Sequence, residues 1–529
     1  MSTSNSSGFW DRLRPGGAQS VYSASLLLMA SALLSGVLGL LRNKLIAQIF
    51  GAGPAVDAYN AAFELPDVIY YLLIGGVAST TFVKLLSTYE SNGTLEEGDR
   101  ALSNILNVVG VGLLLAIVAG EFLAPLYVHY KFHDFNGSQA TAAMCVRMTR
   151  ILLPNQLLLL AGGVFGSRLL LRKIFIYQAM QPLLYNGGII LGALLFGRWL
   201  GIYSLAVGAA GGALFGFFLI NLVGARRIGM RWTPTFNLRH PTLREWTRLS
   251  LPLILGQSIV TLDPIIRSYF AANITGGISL MKYSRDLFAA PMGIVGPAAG
   301  LASLPFFASL WSDGNVAKFS SAVNRSVSRL LAVSLLLTGW MIALAGPIIN
   351  VALSGGRFRG HDANGAVQLF ILFCLSLVFW TSQNLYARAF YGAGNTLTPM
   401  LSGTVVTVLS LPVYALLFHH YGIPGLVVAS DIAIAAHMVA LAVLLHRKRM
   451  VSLAELEWLE MGKALLAAVA SGLAIFVTER VLPLGATHAA NLLRMALGSI
   501  VWFAVTLGVL VATGSALPRA ILRKRAVKA

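Results

Sequence analysis

The chain has 529 residues, of which 57% are hydrophobic and 11% charged, with a mean hydropathy of +0.74. Soluble domains carry about 25% charged residues, so a soluble enzyme of this length, with two or three cores to cover, is all but excluded. The balance of 39 Lys and Arg against 20 Asp and Glu, a formal net of +19, then points to a polytopic membrane protein whose basic residues set its orientation, and not to nucleic acid.

The first twenty residues are polar and carry Arg12 and Arg14. The apolar stretch behind them continues to about Ile49, too long for a signal-peptide core, and reads as a retained first span. Runs of about 20 apolar residues then recur along the chain. They predict fourteen transmembrane helices, near 21–49, 56–88, 101–129, 140–167, 175–198, 202–224, 249–272, 278–311, 328–354, 364–391, 396–419, 423–446, 461–483 and 488–516. Pro66, Pro264, Pro291 and Pro305 predict bends inside the longer ones. With a cytoplasmic N-terminus, alternate loops hold about 24 basic residues inside and about 5 outside, the latter being Lys131, Arg198, Arg357, Arg359 and Arg480. Both termini are therefore expected in the cytoplasm.

The expected architecture is an all-α polytopic membrane protein. It has a cytoplasmic segment (1–20), an N-lobe of six helices (21–224), a cytoplasmic amphipathic linker (225–248), a C-lobe of six helices (249–446), two further helices (447–516) and a basic cytoplasmic tail (517–529). The division rests on an internal repeat. A shift of about 225 residues places Arg42 on Arg267, Pro66 on Pro291 and Phe82 on Phe307. A shift of about 217–221 places Pro182 on Pro399, Gly201-Ile202 on Gly422-Ile423 and Arg226-Arg227 on Arg447-Lys448. Six spans per unit is an even number, so both copies enter the membrane from one side, the parallel-repeat plan of many transporters. Substrate is expected between the two lobes, exposed alternately to each side.

An ionisable residue in a span costs a few kcal/mol, so it faces a cavity or a partner. Such residues cluster in the first two spans of each half: Arg42, Lys44, Asp57, Glu64 and Asp67, then Asp263, Arg267, Lys282, Arg285 and Asp286. Arg42 and Arg267, equivalent by the repeat, predict one arginine on each lobe, a pair suited to the two-pronged recognition of phosphate. Lys282 and Arg285, three apart, fall on one helical face and would add to the anion site. Other assignments stay open on the sequence. Arg42 and Lys44 at a helix end would snorkel to headgroups. Arg267 would pair with Asp263 four residues earlier, and Asp286 would neutralise Arg285 or Lys282. Asp57 and Glu64 read equally as ion-pair or gating groups and as helix-end residues. Arg147, Arg150 and Asp431 are weaker candidates of the same kind.

The remaining features read as packing or orientation. Gly208, Gly212 and Gly216, four apart, suit close helix contact. Cys145 and Cys374 lie in apolar runs and form no CxxC pair. The linker around Trp232 and Trp246, with its arginines, reads as a segment lying on the cytoplasmic leaflet. No metal-spaced His/Cys set, Walker loop or nucleophile elbow is present, so no catalytic residue, metal or cofactor is expected.

The run Gly39-Leu-Leu-Arg42-Asn43, Phe50-Gly51-Ala52-Gly53, Asp57-Ala58-Tyr59 and Ala62-Phe63-Glu64-Leu65-Pro66-Asp67 resembles the opening of the MurJ/MviN family of lipid II flippases, in the MOP exporter superfamily. Met281 to Pro291 and the turn Tyr391 to Pro399 match more loosely. The resemblance implies a flippase that moves the undecaprenyl-pyrophosphate-linked peptidoglycan precursor from the inner to the outer leaflet of the bacterial cytoplasmic membrane. Its implied partners are that lipid, the surrounding membrane lipids and the cell-wall synthesis machinery. Arg42 matches a family cavity arginine, and Asp57 the acid of an Asp-Ala-aromatic motif. This member diverges: Gly36 follows Ser35 where the family has arginine, Tyr70-Tyr71 replaces an arginine pair, and Ser284-Arg285-Asp286-Leu287 inverts the family's acid–base order. Arg267 and Lys282 are additions. The pattern fits a pyrophosphate site rebuilt from cations at new positions, or a paralogue for another polyprenyl-linked glycan or a small molecule. A non-transporting scaffold would not need paired intramembrane arginines, and no acid–base pair suits a membrane-embedded transferase.

Overall fold

A computed structural model describes residues 21–74, 78–255, 258–485 and 487–518; the polar segment 1–20 and the basic tail from residue 519 lie outside them. Among the described residues the chain is built of α-helices and their connections. The first helices are α1 (Val21–Phe50), α2 (Pro54–Ala62), α3 (Glu64–Ile74), α4 (Ala78–Ser91) and α5 (Leu95–Gly137). Next come α6 (Gln139–Leu152), α7 (Asn155–Leu171), α8 (Ile176–Leu200) and α9 (Tyr203–Ala213), which runs through a π-helical stretch, Leu214–Leu219, into α10 (Ile220–Arg227). There follow α11 (Pro241–Leu255), α12 (Ser258–Ala271), α13 (Gly277–Ser312), α14 (Val316–Ala343) and α15 (Ala345–Ala352). The last are α16 (His361–Leu375), α17 (Leu377–Gly392), α18 (Leu397–Arg447), α19 (Trp458–Val481) and α20 (His488–Ala512).

Ten helical stretches among the described residues are long and apolar enough to cross a membrane. One, Leu397–Arg447, has 51 residues, which at about 1.5 Å per residue is more than twice a bilayer core. Gly422 divides it, at φ 61° and ψ −137°, into the two spans expected there. The other predicted spans, 56–88, 249–272 and 278–311, correspond to α2–α4, to α11 with α12, and to α13. The bend expected at Pro66 appears as a break between α2 and α3: proline has no N–H to return to Ala62, although Asp67 N still donates to Phe63 O at 2.9 Å. On α1, Leu26, Met29, Leu33, Leu34 and Val37 are exposed, a pattern that water penalises and lipid accepts. The chain is a multi-pass membrane protein.

Two compact units are present. The first runs to Ile46 and resumes over Gly53–Gln257; the second takes Ala47–Ala52 and everything from Ser258. The division therefore falls after α11 and not at residue 248, because α11 packs on α3, α4 and α5. Its Trp246 is buried and stacks on Phe82 with ring centroids 6.2 Å apart. Of the two tryptophans expected at the membrane surface, only Trp232 is exposed; its indole N–H donates to Asn107 Oδ1 at 2.9 Å.

Lipid tails are as apolar as leucine, so helices in a membrane associate by close packing and polar contacts. In the first unit α8 and α9 meet through glycines. A Cβ on Gly188 would lie 2.7 Å from Gly208 O, and one on Gly212 would lie 2.8 Å from Tyr185 O. No side chain fits either place.

The repeat persists in the backbone of each unit. Gly93 and Gly314, Lys173 and Gly394, and Gly201 and Gly422 all have positive φ, and each pair is 221 residues apart. Gly201, at φ 55° and ψ −133°, nearly reproduces the dihedrals of Gly422. Hydrogen bonds follow the same register. Gly93 N donates to Glu90 O and Thr94 N to Tyr89 O; Gly314 N donates to Trp311 O and Asn315 N to Leu310 O. The ends of α10 and α18 match as well: Met230 N donates to Ala225 O, and Met450 N to Leu445 O, both at 3.0 Å.

Candidate functional site

The first unit's cations are treated differently from the second's. Arg42, two turns before the end of α1, is half-buried. Its Nη1 donates to Asn186 Oδ1 on α8 at 2.9 Å, and its Nε and Nη2 donate to Asn43 Oδ1 at 3.3 and 3.1 Å. Asn186 in turn donates to Ser35 Oγ at 3.3 Å. Neutral amides orient a guanidinium without cancelling its charge. Among the described residues no carboxylate reaches Arg42 at ion-pair distance.

The acids of this unit lie close by in sequence. Asp57 is buried in the first turn of α2, next but one to the buried Tyr59. Glu64 opens α3 and pairs with Lys131 of α5 at 3.5 Å, both side chains being less than a fifth exposed. Glu64 is thus both a helix-end residue and an ion-pair partner. Lys131, counted in the sequence as an outside loop charge, is a structural cation.

In the second unit the charges converge on Asp263 of α12. Arg267 Nε donates to Asp263 Oδ2 at 3.0 Å, and its Nη2 lies 3.0 Å from the same atom. Arg285 of α13 donates to that oxygen through Nη1 at 2.9 Å. Tyr414 Oη of α18 donates to Asp263 Oδ1 at 2.5 Å. Arg267 is 4% exposed and faces the Phe373 ring at 5.5 Å; Arg285 is 24% exposed and faces Trp380 at 5.8 Å. Beside Asp263 lies a cavity of about 10 Å³, near the size of one water, bordered by Thr407, Ser410, Tyr414 and Ser430. Lys282 pairs with Asp286 one turn on, at 3.1 Å, and is 45% exposed. Asp431 stands beside Ser376, within electrostatic reach of Asp263, Arg267 and Arg285.

The two arginines that the repeat equates therefore differ. Arg42 rests on amides, whereas Arg267 takes the other assignment left open by the sequence and pairs with Asp263. Of the cations grouped around Asp263 and Asp286, Arg285 and Lys282 keep exposed surface. Asn186 and Tyr414 were missed in the sequence because a lone neutral polar residue in an apolar run carries no periodic mark. Arg150 pairs with Glu121 at 3.6 Å, and Arg147 is exposed.

Two units with matching backbone turns, and arginines inside the spans of each, have the plan of a parallel-repeat membrane fold. An inward-facing multidrug-resistance transporter of the MATE family superposes with a TM-score of 0.63 at 15% identity, covering 81% of this chain and 98% of its own. A structure titled lipid II flippase MurJ, inward closed conformation, superposes with a TM-score of 0.76 at 20% identity over 91% of this chain and 98% of that one. Relatives in sequence include a probable lipid II flippase MurJ of Borreliella burgdorferi, 24% identical over 78% of this chain and 80% of its own. A lipid II flippase MurJ of Burkholderia cenocepacia is 26% identical over 76% of this chain and 80% of its own. The profile of the lipid II flippase MurJ family matches residues 46–495, and the chain belongs to that family, one of transporters and not of enzymes.

Proposed function

We propose that the protein carries lipid II, the undecaprenyl-pyrophosphate-linked peptidoglycan precursor, from the inner to the outer leaflet of the bacterial cytoplasmic membrane by alternating access. Family membership supports the substrate, and one observation carries the site. Arg42 is a half-buried guanidinium held by Asn43 and Asn186, with no carboxylate at ion-pair distance among the described residues. Such a group is ready for an anion, and a pyrophosphate offers the oxygen pairs that guanidinium binds with two parallel bonds. Arg285 and Lys282 supply the cations of the second unit. Arg267 acts from behind, through Asp263. Asp57, Glu64 and Asp286 keep the role of local counter-charges. The basic excess in alternate loops supports an orientation with both ends in the cytoplasm.

The test is to deplete the native lipid II flippase of a bacterium and express this chain. Rescue of growth is expected, with loss of rescue on replacing Arg42 by Ala. Failure of the correctly inserted wild-type chain to rescue would count against lipid II as the substrate and leave another polyprenyl-linked glycan in its place. Unchanged rescue by Arg42→Ala would refute the phosphate role of that residue.

A further inference from the structure

Asp263 serves two arginines unequally. Its Oδ2 meets Nε and Nη2 of Arg267, both at 3.0 Å, and only Nη1 of Arg285, at 2.9 Å. Its Oδ1 is taken by Tyr414. An ordinary buried ion pair needs one arginine per carboxylate, and a second guanidinium on the same oxygen is repelled by the first. Asp286, next to Arg285 in sequence, pairs with Lys282 at 3.1 Å and acts on Arg285 only as a neighbouring charge. Arg285 has five N–H donors and spends one on Asp263. It is also the arginine of this pair with exposed surface.

We propose that Arg267 is a positioning residue. With two nitrogens on Asp263 Oδ2 where Arg285 has one, it is the main counter-charge of that carboxylate, and so leaves the charge and the remaining donors of Arg285 for phosphate oxygens. The inference rests on the pyrophosphate reading above and adds to it the reason for the extra arginine. Without Arg267, Arg285 is left as the sole guanidinium on Asp263, and the carboxylate neutralises it and draws it away from the ligand.

The experiment uses the full chain in detergent and undecaprenyl pyrophosphate as the probe, with melting temperature recorded for every variant. Arg285→Gln should weaken binding about tenfold or more, the loss of one charge-assisted contact. Arg267→Gln should weaken it by a similar factor, although Arg267 never touches the probe. Asp263→Asn, combined with Arg267→Gln, should restore the affinity to within about threefold of wild type, because the carboxylate that captures Arg285 is gone. Asp263→Asn alone, which frees Arg285 by the other route, should bind at least as tightly as wild type. A purely structural role for Arg267 would lower the melting temperature and leave affinity alone, or leave the double variant no better than the single; either result overturns the proposal. If Arg267→Gln does not fold, weaker binding by Asp263→Asn overturns it instead. Wild-type affinity in Arg285→Gln would refute the pyrophosphate reading of the second unit, a separate failure from that of the positioning role.

Discussion

The glycine contact between α8 and α9 connects packing to the site, and Gly212→Ala tests the connection. A Cβ on Gly212 would lie 2.8 Å from Tyr185 O and 2.9 Å from Tyr185 Cα. Ordinary contact begins near 3.4 Å, so the two helices must part by about 0.6 Å, and no rotamer change relieves a clash with backbone. Overpacking of this kind costs about 1–3 kcal/mol. The residue after Tyr185 is Asn186, which holds Arg42 at 2.9 Å. A shift of about 0.6 Å on that side stretches the bond to the edge of hydrogen-bonding distance. Gly212→Ala should therefore unfold at a lower temperature in detergent and also lose part of its growth rescue. Gly211 provides the control: nothing lies within 4 Å of its Cβ position, and alanine at a helical glycine is favourable by about 0.5–1 kcal/mol. Gly211→Ala should melt no earlier than wild type. Equal melting of the two variants would refute the close-contact argument, and normal rescue by a destabilised Gly212→Ala would sever packing from the site.

Two further outcomes follow from the fold. Gly201→Ala and Gly422→Ala should each cost about 1–3 kcal/mol in thermal or denaturant unfolding, since their dihedrals exclude a Cβ while little surrounds it; unaltered melting in both would show that the hinges relax freely. Arg168 Nε lies 2.9 Å from Asp99 Oδ1, at ion-pair distance but off hydrogen-bonding angle, with both side chains under a tenth exposed. Arg168→Met, which strands the acid, should cost about 3–5 kcal/mol, and Asp99→Leu with Arg168→Met should recover much of it in a double-mutant cycle; no recovery would assign the loss to packing alone.

The spans and the repeat were readable in the sequence for a plain reason. A bilayer demands long apolar runs, and positive-φ turns favour glycine, so both leave one-dimensional marks. The break at Pro66 was legible as a bend for the same cause. The pairing of charges was not. Asp263 and Arg267 stand one helical turn apart and could be read together, but Arg285 joins them from α13 and Arg42 finds Asn186 on α8. Such contacts depend on which helix faces which, and hydropathy is silent about that. Trp246 shows the same limit: an arginine-rich neighbourhood suggested a surface, yet α11 turns the ring into the core against Phe82. Lys131 looked like one of the few outer-loop cations until Glu64 was found beside it.

The matched turns have a consequence for the ancestry of the chain. At one pair of positions the first copy has Lys173 and the second Gly394; at another the first has Gly229 and the second Arg449, all four with positive φ. Each copy thus carries a glycine where the other carries a cation, and in both cases the turn is left-handed, though a side chain there is strained. A duplication that drifts in this way transmits backbone conformation more faithfully than residue identity, so the descent of such halves is better traced by comparing the handedness of their turns than by aligning their letters.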